Sequence, residues 1–378
     1  MQKPDRMQTK LIAHYDNLSE IERMIMQLCS IIQEPTSGVI ILRCLQKSGA
    51  ELAKPLDKRS LDIHLSRLQS LKLLNRKLQC HPTILETVAR SALAAGLIRT
   101  RSKSSAAANA PKSPADYGPF VKAVMEEHPS ERNLLYSNPQ FCPRTMRDFR
   151  IGLYVNDREL WEQAYKQIYS YCHPTHTQPD PFVQVCNNPF DPGWFRTLPP
   201  SIMVYALQKI FEQTIMHMEP DNEQVAFAMD PGVANAMEPE DRLLLKYHLI
   251  SRLLLGGKTA KAEELIATID DSFYHEALSG WLHFIQGRGA ESLAAYESGL
   301  RALRKETGKR SVFLTGPAGV FHILAMLKDQ ESILANLRKI GQMLDATDRG
   351  RLASYVVAPF SALRTITRVL SLDMTIAK

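Results

Sequence analysis

The apolar residues of this chain recur with the spacing of helices. From Leu18 to Ile32, the side chains of Ile21, Met24, Ile25, Leu28, Ile31 and Ile32 fall on one face, the stripe that a half-buried helix turns to a core. Ser19 precedes Glu22 by three residues, a pairing in which each side chain satisfies the other's backbone N–H at a helix start. Pro35 ends that element. Ser37 is placed to cap a second helix, Gly38 to Lys47, and Ser48-Gly49 stops it. After Pro55, with Asp57 or Ser60 as cap, Leu61, Leu65, Leu68 and Leu71 mark the inner face of a third helix. Arg76 to Cys80 is short enough for a strand or wing, and Thr83 to Leu97 is again amphipathic.

Further helices are predicted over Tyr117–His128, Thr145–Tyr154, Asp157–Tyr171 and Pro200–Met218. In the third of these, Leu160, Trp161, Ala164, Tyr165 and Ile168 cluster at helical spacing. That aromatic stripe is read as core and not as a base-stacking platform. Between Cys172 and Pro200 prolines are too frequent for continuous helix, and a connector wrapping the helical body is expected there. From Asp241 to Leu303 the pattern doubles. Each half is a helix, a Gly-containing turn and a second helix, and laying Gly257 on Gly287 puts Ala262 on Ser292, Ile266 on Tyr296 and Ile269 on Gly299. Small or apolar residues thus return every 30 residues where two antiparallel helices would press together, with Gly280 as the small residue inside the second unit's first helix.

Three helices, a basic β-like segment and a closing helix describe a winged-helix domain. The doubled segment resembles a tetratricopeptide-type helical hairpin, a family with a period of about 34 residues. The expected fold is therefore mainly α, in four segments: a winged-helix domain over 1–98, a flexible basic linker over 99–116, a helical domain with the Pro-rich connector over 117–236, and tetratricopeptide-like repeats over 237–378. Such hairpins cannot bury their apolar faces alone, and they stack into surfaces that bind another macromolecule. The resemblance implies a protein partner.

Charge sharpens this picture. Residues 1–118 carry 18 Lys/Arg against 10 Asp/Glu, while residues 119–378 carry 28 against 30, so the whole net charge of +6 arises at the front. A basic module on a near-neutral body suits a polyanion, and it is equally the composition of a merely solvated basic surface. In a winged helix the third helix enters the major groove and the wing touches phosphate. Lys58, Arg59, His64 and Arg67 lie outside the leucine stripe of that helix, and Arg76 and Lys77 lie on the expected wing. These six are the candidate nucleic-acid contacts. Asp62 on the same helix opposes close phosphate approach, and winged helices also dock proteins. A second basic patch is expected at Arg301, Arg304, Lys305, Lys309 and Arg310. Arg99 to Pro114 has four basic residues, no acid and no hydrophobic period, the composition of a mobile linker.

Other chemistry is set aside on spacing. Cys172, His173, His176 and Cys186 hold zinc-type donors, but their spacing is that of no recognised finger. Gly256-Gly257-Lys258-Thr259 ends like a P-loop, yet Arg252 stands where its leading glycine belongs, and Leu303 does the same before Gly308-Lys309-Arg310. No nucleophile elbow and no HExxH motif occur. A non-catalytic chain without metal or cofactor is expected. The six cysteines have no disulfide-framework spacing, the N-terminus lacks the apolar core of a signal peptide, and no apolar run reaches the roughly 20 residues a bilayer needs. These features point to a cytoplasmic protein with reduced thiols and no membrane association.

The segments NPFDPGWFRTLPPSIMVYALQKIF (Asn188–Phe211) and RALRKETGKRSVFLTGPAGVFHILAMLK (Arg301–Lys328) resemble parts of the helical N-terminal extensions of large bacterial SWI/SNF-type helicases. That resemblance implies a DNA-engaging, partner-binding accessory region of a DNA-translocating ATPase whose motor lies beyond Lys378. Two other expectations stand beside it: a stand-alone winged-helix transcriptional regulator with the repeats as sensor, and a protein scaffold without DNA binding.

Overall fold

The computed structural model describes residues 6–99, 117–128, 142–168, 180–216, 223–309, 312–314 and 316–340. All regular elements among them are helices, and pairing of extended backbone is limited to isolated bridges. The described residues divide into two compact units, one through Ala236 and one from Met237.

The first unit opens with α1 (Arg6–Asp16), which the hydrophobic pattern does not announce because it buries only Leu11 and Tyr15. Helix α2 (Glu20–Ile32) starts at the Ser19–Glu22 capping box, with Glu22 Oε2 accepting from Ser19 N at 3.1 Å. A cap of this kind stabilises a helix by about 1 kcal/mol. Nearly all of α2 is buried, from Met24 to Ile32, so it is the central rod of the unit and not an amphipathic surface helix. Its Gln27 donates to Ser91 Oγ at 2.8 Å, as does Tyr15 of α1 at 2.9 Å. Ser37 caps α3 (Gly38–Lys47), and Asp57 and Ser60 cap α4 (Lys58–Ser70) reciprocally. Leu61, Leu65 and Leu68 of α4 are buried as the leucine stripe requires; Leu71, at the C-terminal cap, is half-buried.

Arg76–Cys80, read from sequence as a possible strand, forms a tight turn closed by a single antiparallel bridge, Leu74 with Cys80. Asn75 organises it. Its Oδ1 accepts from the backbone N–H of Lys77 at 2.9 Å and of Gln79 at 3.0 Å, and its Nδ2 donates to Gln79 Oε1. Side-chain bonds of this type compete with a ladder for the same backbone groups. Helix α5 (Leu85–Ala94) then closes against α2.

Helices α6 (Pro119–Glu127), α7 (Cys142–Val155) and α8 (Arg158–Gln167) belong to the same unit. The expected division between 1–98 and 117–236 is not a division in packing. Arg99 and Tyr117 form a bridge, and Gly118 N–H donates to Ile98 O at 2.7 Å, so the two ends of the basic segment lie side by side. A Cβ on Gly118 would stand 2.4 Å from Leu97 O, which is why that position is glycine. The linker residues 100–116 lie outside the described residues.

Three arginines on α7 join it to carboxylates elsewhere in the unit. Arg144 and Arg147 reach Glu34 at 3.1 and 3.2 Å, His128 Nδ1 lies 2.9 Å from the same carboxylate, and Arg150 reaches Glu86 at 2.6 Å. Tyr154 donates to the other Glu86 oxygen at 2.6 Å. Arg147 is 0% exposed and Arg150 3%, so each needs a carboxylate partner to remain charged in the interior.

The Pro-rich passage also departs from its expectation. Instead of a connector, its described part holds α9 (Pro181–Cys186) and α10 (Pro192–Phe195), followed by α11 (Pro200–Met216). Phe182, Val185 and Phe195 are buried core. Asp180 and Asp191 each accept a backbone N–H at the helix start, and the proline after each sits in the first helical turn, where a missing N–H costs nothing. Asp230 and Pro231 repeat the device at α13 (Pro231–Asn235), which follows α12 (Glu223–Ala228). The aromatic stripe of α8 is core: Trp161 and Tyr165 pack on Phe182, with ring centroids at 5.8 and 5.2 Å.

The second unit contains α14 (Pro239–Leu255), α15 (Thr259–Ile266), α16 (Ser272–Ile285), α17 (Gly289–Thr307), α18 (Gly316–Lys328) and a helical segment over 333–340. The α14–α15 and α16–α17 turns share one geometry 30 residues apart. Gly257 and Gly287 have φ of 73° and 79°, Lys258 N–H donates to Leu253 O and Arg288 N–H to His283 O, both at 2.9 Å. Ala262 and Ser292 are both fully buried, and Ser292 Oγ donates to Gly280 O at 2.7 Å. A Cβ on Gly280 would meet the Tyr296 ring at 2.9 Å.

Candidate nucleic-acid interface

Of the six candidate contacts, five are exposed, and four of these, Lys58, Arg59, Arg76 and Lys77, are on α4 and the turn that follows it without a carboxylate partner among the described residues. Lys58 and Arg59 sit in the first turn of α4, which contains no acid. Cations there oppose the partial positive charge of the helix N-terminus, so helix stability gives no reason for them. The turn that carries Arg76 and Lys77 is tied to the other end of α4 by Gln69 Nε2 donating to Asn75 O at 3.1 Å, and to α2 by Gln79 Nε2 donating to Gln33 O at 3.0 Å. A 13-residue helix is about 20 Å long at 1.5 Å per residue. The two cationic pairs therefore lie toward opposite ends of α4.

The other two candidates are anchored inward. Arg67 Nη1 lies 3.0 Å from both oxygens of Glu22, and His64 Nδ1 lies 3.4 Å from Oε1. Glu22 is 1% exposed. Burial alone would raise its pKa, but the Ser19 hydrogen bonds, His64 and Arg67 outweigh burial and hold it below the usual carboxylate value. Arg67 and His64 thus fix α4 to α2, and Arg67 keeps part of its guanidinium in solvent with a side chain 57% exposed. Between Arg59 and Arg67 on the outer face stand Asp62 and Ile63, the latter 65% exposed.

The second basic patch lies in the second unit. Arg301, Arg304, Lys305 and Lys309 are exposed at and beyond the last turns of α17, and Arg310 lies outside the described residues. Cations at a helix C-terminus complement its dipole, so this patch has a local structural reason that Lys58 and Arg59 lack. Of the set considered for zinc, Cys172, His173 and His176 lie outside the described residues, and Cys186 is buried. Desolvation pushes the Cys29 thiol up to about 12 and Cys44 to about 11, and raises Cys80 and Cys186 as well. These are packing residues with little thiolate character.

No protein-family model, curated protein or solved structure matches this chain. Reading the sequence for charge on α4 found the exposed cations but missed Arg144, Arg147 and Arg150. Their spacing of three along α7 was the available signal, since it aligns them on one face.

Proposed function

We propose that the chain is a non-catalytic module that engages nucleic acid through the α4 surface of its first unit and a protein partner through the helical hairpins of its second. The observation that carries the reading is the pair of exposed cation sets at the two ends of α4, Lys58 with Arg59 and Arg76 with Lys77, none of them ion-paired among the described residues. Long cationic side chains suit phosphate contact because neutralising the backbone releases counterions. The order α2, α3, α4, bridged turn, α5 supports a winged-helix type of head. The matched turns at Gly257 and Gly287 support tetratricopeptide-like hairpins. An accessory region of a SWI/SNF-type helicase, as the sequence resemblance implies, is the larger assembly we assign to it; a stand-alone regulator is the alternative setting for the same chemistry.

Duplex binding by the whole chain, titrated from about 50 to 200 mM salt, tests the reading because phosphate-dominated affinity falls steeply across that range. Saturable binding with a steep slope is expected. Absence of binding at the lowest salt would overturn it. One observation favours a second reading, a protein-docking head: Ile63, apolar and 65% exposed, stands at the middle of the outer face of α4. Duplex affinity unchanged in Ile63→Asp, with loss of a protein partner, would favour that reading.

A further inference from the structure

A cavity of about 590 Å3 opens where the C-terminal end of α4 meets the tight turn. That volume lies in the range of small-molecule sites. Buried Leu74 and Cys80, with Pro82, supply an apolar lining, and Lys72, Arg76 and His81 supply the charged and imidazole part. No carboxylate lines it.

Each amide side chain around the cavity already gives one N–H to the fold. Gln69 donates to Asn75 O, Asn75 to Gln79 Oε1 and Gln79 to Gln33 O, at 3.1, 3.0 and 3.0 Å. The cationic and imidazole groups that line the cavity are Lys72, Arg76 and His81. His81 Nδ1 accepts from Thr83 N–H at 3.3 Å, which leaves the ring proton on Nε2 as a donor. Lys72 itself has φ of 61°. That left-handed residue is the helix-ending position of α4, closed by Leu73 N–H donating to Leu68 O and Lys72 N–H donating to Gln69 O, both at 3.0 Å.

Two cations and an imidazole donor select an anion, and the apolar lining selects a flat, weakly polar body attached to it. We propose that this cavity takes a single nucleotide unit, its phosphate on Lys72, Arg76 and His81 and its base against Leu74, Cys80 and Pro82. The proposal rests on the nucleic-acid reading above for its source, an unpaired nucleotide at the end of a strand. A free nucleoside monophosphate carries the same chemistry.

The test uses the full chain and three ligands: a blunt duplex, the same duplex with a short unpaired overhang, and free adenosine monophosphate. Each is compared with the variant Lys72→Gly/His81→Asn. Glycine relieves the left-handed backbone, and asparagine retains an acceptor for Thr83 N–H, so the variant is chosen to keep the fold; its urea midpoint checks this. The overhang duplex should bind about tenfold tighter than the blunt one, the scale of one captured base and phosphate. The variant should lose that preference while blunt-duplex affinity changes less than about twofold, as Arg76 remains. Monophosphate binding that the variant abolishes, without duplex binding, would keep the cavity's ligand and overturn the nucleic-acid reading. Equal affinity for both duplexes with no monophosphate binding would overturn the cavity proposal and leave that reading intact.

Discussion

Arg150 Nη2 lies 2.6 Å from Glu86 Oε1, and neither side chain is more than 3% exposed. A charge pair this deep is costly to form and more costly to break, because losing one partner strands the other without water. Glu86 also accepts from Tyr154 OH, and burial together with the Glu86 charge holds that phenol well above its ordinary pKa. Glu86→Ala should therefore destabilise the first unit by about 3–5 kcal/mol. Glu86→Leu combined with Arg150→Met should recover much of the loss. Urea unfolding of Glu86→Leu, Arg150→Met and the double variant measures the coupling, and additive effects would mean that the pair is not coupled.

Acid should weaken the same unit through Glu34. Burial raises its pKa, but hydrogen bonds and charges from His128 and Arg144 prevail and hold it at about 2 against an ordinary 4.5. The folded state therefore binds a proton less readily than the unfolded state. The stabilisation is complete above the unfolded value and is lost as pH falls from about 4.5 toward 2. Glu34→Gln should be less stable than the parent at pH 7 and should show a shallower loss of stability over that window. Parallel acid limbs for the two proteins would exclude the carboxylate as the cause.

The five Lys and Arg candidates should separate into two classes. Lys58→Ala, Arg59→Ala, Arg76→Ala and Lys77→Ala should each lower duplex affinity and reduce the salt slope by roughly one unit, with little effect on the unfolding midpoint. Arg67→Ala should instead lower stability, since Glu22 keeps its burial and loses a guanidinium at 3.0 Å. Salt titrations beside urea melts distinguish the classes. A midpoint unmoved in Arg67→Ala would remove its structural role.

In the second unit, Gly280→Ala should cost about 1–3 kcal/mol by overpacking, because the new methyl meets the Tyr296 ring at 2.9 Å. Gly289→Ala, where nothing stands within 4 Å of a Cβ, is the matched control and should be close to neutral. Thermal melts of the two variants test whether the α16–α17 contact carries the stability of that unit.

The helix starts were legible from sequence because caps are local. Ser19 with Glu22, Ser37, and Asp57 with Ser60 each satisfy backbone N–H groups within three residues, so chain spacing is enough to recognise them. The Gly257 and Gly287 turns were legible for the same reason, each needing a positive φ at one residue. Prolines misled where their position in the helix mattered more than their number: Pro181 and Pro192 open helices behind Asp180 and Asp191. Only the tertiary structure decided which charges face solvent and which are spent inside. Arg59 and Arg67 lie on the same outer face of α4, yet Arg67 is bound to Glu22, 45 residues away in sequence. Glu34 and Glu86 likewise receive their arginines from α7. Nothing in local spacing names such partners, because the energy of a buried charge depends on what the fold brings within about 4 Å of it.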